Sequence, residues 1–183
     1  MRALARPDRA VAVGSHRPAR PSRILSLIAT HGNETYRYIY GAGDPSLYYA
    51  HTNNMAVRRE LFAELGAFVE RDRGADTILV RRAVERVGAQ AVQFVPEVAV
   101  RHLEMNGTAT YYRKAFVYGR ARKQYRALAA VRGLSLRQKL LVLGRTSAAE
   151  RLSPPGFLLL LALLAGALLC HNVGYAVAGP VRR

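Results

Sequence analysis

The chain has 183 residues, half of them apolar, enough for one modest domain plus an appendage, which excludes a wholly disordered tail. Lys and Arg number 28 against 12 Asp and Glu, and the formal charge of +16 points to an anionic partner such as phosphate, nucleotide, nucleic acid or acidic lipid. The single cysteine, Cys170, sits in an apolar run, which excludes a disulfide framework and a Cys-based zinc site and suits a reducing compartment.

The opening stretch "MRALARPDRAVAVGSHRPARPSR" scatters its arginines and has no uninterrupted apolar run, so it does not read as a signal peptide. Within it, "RAVAVGS" is a short strand candidate that runs into glycine. "SLYYAHTNNMAVRRELFAELGAF" reads as a strand, a loop, and a helix from about Arg58 to Leu65 with Leu61, Phe62 and Leu65 buried and Gly66 as its stop. In "ERDRGADTILVRRAVERVG", Ile78, Leu79, Ala83, Val84 and Val87 recur at helical spacing, with Asp76 at the mouth and Gly88 at the end. "AVQFVPEVAVRH" reads as two short β pieces broken at Pro96. The order strand, helix, helix, strand, strand predicts half of an α/β layer structure.

Between residues 103 and 151 the acidic residues are Glu104 and Glu150, set among many cations at helical spacing. "YYRKAFVYGRARKQYRALAAV" interleaves tyrosines with Arg and Lys, and "LSLRQKLLVLGR" repeats apolar and basic residues with a helix-like period. Both pieces are expected to lie as amphipathic helices near lipid headgroups. Residues 156 to 179 contain no Lys, Arg, Asp or Glu and match the roughly 20 residues that span a bilayer core, so a transmembrane helix is expected. "SPPG" gives it a sharp start, and a buried hairpin or core helix is the competing reading. Arg137, Lys139, Arg145 and Arg151 precede the span and Arg182 and Arg183 follow it, so the positive-inside rule predicts a single-pass protein with its soluble part cytoplasmic.

The stretch "TNNMAVRRELFAELGAFVERDRGADTILVRRAVERVGAQAVQFVPEVAVRHLE" resembles the family 2 glycosyltransferases, membrane-associated enzymes with a GT-A fold. The likeness covers roughly residues 8 to 126 and rests on Asn54 with "MAVRRELF", then "GAFVE", Ala75 and Asp76, Gly88, "FVPEVAV" and His102 in that order. It implies an α/β fold: a partial, truncated Rossmann-like GT-A domain over residues 1–105, basic amphipathic helices over 106–152, and a transmembrane helix with a short tail over 153–183.

By the same resemblance Asp76 would be the base of an inverting transfer, taking the proton of the acceptor hydroxyl as it attacks the anomeric carbon. An Asp here also commonly caps a helix, and the two roles are compatible. Ala75 stands where the family usually has Glu. His102 would ligate the divalent metal, Mn²⁺ or Mg²⁺, that neutralises the diphosphate, and Arg120, Arg122 and Asn54 would meet the diphosphate or the acceptor. The family's donor-binding half and its Asp-x-Asp motif are absent from the sequence. The expected chain is therefore an acceptor-side half, truncated, divergent or split from a separate donor-binding half, that holds metal and nucleotide-sugar poorly alone. Its expected partners are a nucleotide-sugar donor, a glycan or lipid-linked acceptor, and anionic membrane lipids. The competing function is a non-catalytic basic membrane protein that binds anionic lipid or, less favourably, nucleic acid through residues 111 to 126. Walker-type loops, G-x-S-x-G elbows and H-E-x-x-H zinc helices do not occur.

Overall fold

The computed structural model describes Leu4 and residues 8–70, 73–125, 129 and 131–179. Its elements run β1 (Val11–Pro18), α1 (Arg23–Gly41), β2 (Met55–Val57), α2 (Arg59–Leu65), α3 (Ala75–Val87), β3 (Val92–His102), α4 (Thr108–Tyr125), α5 (Leu136–Ala149) and α6 (Pro154–Val177). The fold is mixed α/β, with a three-stranded sheet ordered β2-β1-β3 in which β1 runs parallel to β3 and antiparallel to β2.

Helix α1 has no counterpart among the elements expected from sequence. Ser22 caps it, its hydroxyl accepting from the Leu25 amide at 3.2 Å, and Leu25, Leu27, Ile28, Tyr36 and Ile39 form its buried side. Gly32 and Asn33 interrupt the apolar pattern midway, and Asn33 is there because its side chain bonds the His16 backbone on β1 at 2.9 Å in both directions. The expected strand in "SLYYA" is instead a 3-10 turn, Pro45–Leu47, followed by extended chain that pushes Leu47 and Tyr48 into the core. That core also gathers Val11, Val13, Ile39, Val80, Ala83 and Val92 between sheet and helices. Burying each large apolar side chain contributes about 1.5–3 kcal/mol.

The two β pieces expected around Pro96 are one strand with a break in register. Val11 to Gly14 pair with Val92 to Val95, and Ser15 to Pro18 pair with Ala99 to His102, leaving Pro96, Glu97 and Val98 bulged out. Proline cannot donate to a ladder, so the strand tolerates it by bulging rather than ending. Asn54 pins the bulge: its buried Nδ2 donates to the Ser15 carbonyl at 2.6 Å and the Val98 carbonyl at 3.0 Å. The Ser15 hydroxyl donates to the Pro96 carbonyl at 2.8 Å. Gly14 makes room, since a Cβ there would lie 2.2 Å from the Val98 oxygen and 2.3 Å from Asn54 Nδ2.

Helix α5 starts with a Ser135–Gln138 capping box and packs on α1, where His31 Nδ1 meets Thr146 Oγ1 at 3.1 Å. The Thr146 hydroxyl donates to the Val142 carbonyl at 2.9 Å, so His31 Nδ1 is the donor in that contact. Helix α6 is long and apolar enough to cross a membrane and is the one such helix among the described residues. Its first half joins Leu27 of α1 and Leu143 of α5 through Leu160.

Asn54→Ala orphans two carbonyls, each costing about 1–3 kcal/mol when buried, and Gly14→Ala should cost at least as much; urea unfolding followed by circular dichroism reads both. Burial lowers the His31 pKa from 6.5 to about 4, so the unfolded chain binds the proton more readily and stability is complete above 6.5. It should be lost as the pH falls from 6.5 toward 4, and His31→Gln should flatten that fall in a pH series of thermal melts.

Candidate functional site

Because β1 and β3 are parallel, their carboxyl ends meet at one edge, the edge at which open α/β sheets bind ligands. His16 stands near the end of β1 and His102 ends β3, with ring centroids 5.7 Å apart. The 3-10 turn Thr52–Asn54 and the N-terminus of α3 complete this edge.

The N-cap of α3 is Gly74, whose φ of 87° and ψ of 0° lie in the left-handed region open to glycine. Asp76 is therefore not the cap expected from sequence but a first-turn residue, where the helix dipole favours its charge. Its Oδ1 accepts from the Thr77 amide at 2.8 Å and its Oδ2 from the Thr52 amide at 3.3 Å. His51 Nδ1 lies 3.9 Å from Oδ2, and the Asp76 side chain keeps 18% of its surface exposed.

His51 sits in an aromatic box. Its ring stacks on Tyr118 of α4 at 5.7 Å and meets Tyr49 and Tyr36 edge-on. Burial holds this imidazole well below the ordinary histidine range; the Asp76 carboxylate opposes that shift, and His16, His102 and Lys114 add to it. His16 Nε2 lies 2.9 Å from Asn53 Oδ1. Burial also lowers the His16 and His102 pKa values, with Lys114 pushing the same way. The edge thus gathers three imidazoles, a carboxylate and the Lys114 side chain, which pairs with Glu104. Beneath them the buried Tyr36 hydroxyl has no hydrogen-bond partner among the described residues.

The expected site residues separate. Asp76 faces this edge, and His102 lies against His16 there. Asn54 lies below, committed to the strand bulge. Arg120 is exposed on α4, while Arg122 turns toward α6, donating to the Val131 carbonyl at 3.2 Å in a cavity shared with His171, Asn172 and Tyr175. Among the described residues no three His, Cys, Asp or Glu side chains converge as a cation site. Glu104, two residues after His102, is paired with the Lys114 ammonium.

His51, His16, Tyr36, Tyr118 and Lys114 are the members that sequence reasoning missed. A histidine beside the "TNN" turn was the available signal for His51. No family model matches the chain, and no curated protein or solved structure matches it.

The opposition between burial and the carboxylate at His51 sets a prediction. Removing the negative charge in Asp76→Asn should lower the His51 pKa further, read by NMR titration of the imidazole carbon-bound protons.

Proposed function

We propose that this chain carries the acceptor side of an inverting, membrane-associated glycosyltransferase of family 2. The carrying observation is the partly exposed Asp76 carboxylate, held by two backbone amides at the start of α3 and rimmed by aromatic rings. In this reading Asp76 takes the proton of an acceptor hydroxyl as that oxygen attacks the anomeric carbon. The bond from that carbon to the donor phosphate breaks, and the nucleoside diphosphate leaves with its electron pair. Held dipoles around a carboxylate keep it placed for the transfer without reorganisation.

The acceptor is a glycan or lipid-linked sugar, whose apolar ring surfaces suit the exposed rim of the stacked Tyr118–His51 pair. Ala75 leaves Asp76 without the adjacent Glu usual in the family, and His51 is the side chain that stands against the carboxylate instead. The nucleotide-sugar and its Mn²⁺ or Mg²⁺ are held by a separate donor-binding segment, consistent with a sequence that has no Asp-x-Asp triplet. The excess of Lys and Arg before α6 suits a site held against anionic headgroups. A second reading, a non-catalytic protein bound to anionic lipid, is favoured by the exposed leucines of α5 and α6.

Acceptor binding tests the first reading. Saturation-transfer NMR with a panel of short oligosaccharides and lipid-linked sugars, in the presence of a metal chelator, should show transfer to at least one ligand. Tyr118→Ala should weaken that ligand about threefold to tenfold, the worth of one aromatic contact, while isosteric Asp76→Asn should leave it bound. No transfer to any member of the panel, or binding indifferent to Tyr118, would contradict the reading.

A further inference from the structure

Helix α6 is exposed along one side and covered along the other for its whole length. Leu158, Leu161, Leu168, Leu169, Val173 and Val177 are exposed and, at about 100° per residue, fall on one half of the helix. Gly156, Leu160, Leu163 and Gly174 on the opposite half are buried. The first half of that side rests on α1 and α5.

The second half is covered by α4, which runs alongside in the same direction. The contact is backbone to backbone: a Cβ on Gly119 would lie 2.0 Å from the His171 oxygen, and one on Gly174 would lie 2.1 Å from the Phe116 oxygen. Farther along, Lys123 Nζ donates to the Ala178 carbonyl at 2.8 Å and lies over the Tyr175 ring at 5.9 Å.

This packing conflicts with a spanning helix. Helix α4 carries Arg113, Lys114, Arg120, Arg122 and Lys123, and if α6 crossed the bilayer with α4 attached, those cations would be drawn beside hydrocarbon. Helix α6 is apolar all round, but packed against the cationic α4 the pair presents one apolar face with charge behind it, an arrangement that lies stably in the interface plane. Helix α5 exposes Leu136, Leu140 and Leu141 interleaved with Arg137 on one face, with Lys139 and Arg145 at its margins, a surface suited to headgroup contact. The occupant of this surface is then an anionic bilayer, complementary to a chain of formal charge +16.

We infer that α6 does not cross the membrane but lies in one leaflet, its leucine side in the acyl region and both of its ends on the side of the sheet. The inference stands independently of the glycosyltransferase reading. It also places the Asp76 edge close to the lipid surface, because Tyr118 stacks on His51 while the next residue, Gly119, touches α6.

The test adds the full chain, tagged at both ends, to preformed vesicles of phosphatidylcholine with phosphatidylglycerol, and applies protease from outside. Both tags should be digested at comparable rates in intact vesicles. A C-terminal tag protected at least about tenfold until detergent is added would overturn the inference. As a second readout, a fluorophore on Leu169→Cys in a Cys170→Ser background should be quenched more by nitroxides high on the acyl chain than by those at its end. The reverse order would mark a spanning helix and overturn the inference. So would a chain that stays off anionic vesicles as a dimer, its leucines covered by a second copy.

Discussion

One amide side chain holds the architecture of the candidate site together. Asn54 donates to the carbonyls of Ser15 and Val98 on the two parallel strands, closing a bulge that would otherwise leave the buried Ser15 oxygen and the half-buried Val98 oxygen without this donor. The bulge resets the register after Gly14, so that the last four residues of β1 pair with the last four of β3 and His102 arrives beside His16. The same short turn carries Asn53 to His16 and His51 to the aromatic box, while its Thr52 amide reaches Asp76. Strand ends, turn and helix start are thus tied by consecutive residues, which is how a loop can hold a carboxylate in place on a rigid scaffold.

Helix α4 joins this edge to the apolar helix α6. Its Tyr118 stacks on His51, and the adjacent Gly119 lets the α6 backbone approach to contact. Small residues at a helix crossing give close packing at no cost in hydrogen bonds, and here they fix where the cations of α4 sit relative to the leucines of α6. The Asp76 edge and the apolar helix α6 are therefore joined through one rigid element.

Helices α2 and α3 were legible in the sequence because apolar residues recur at helical spacing and end at Gly66 and Gly88, both at positive φ. The apolar α6 was legible from its length and lack of charge. Helix α1 was not, because Gly32 and Asn33 break its pattern, and the reason for Asn33 lies on β1, 17 residues away. Pro96 read as a strand breaker, since the cost of proline in a sheet is local while the Asn54 contacts that offset it come from a distant turn. Asp76 could be picked out by its place before a helical run. His51, His16 and Lys114 could not, because only parallel pairing of β1 and β3 and the return of α4 bring them to one edge.

If acceptor chemistry resides in this chain and donor binding in another segment, one calorimetric titration separates the two. A nucleoside diphosphate is titrated into the detergent-solubilised chain with and without Mn²⁺, for wild type and for His102→Ala. The account predicts no metal-dependent binding in either protein. Saturable binding that needs Mn²⁺ and disappears in His102→Ala would contradict it, because a working donor site would then reside at the His16–His102 edge.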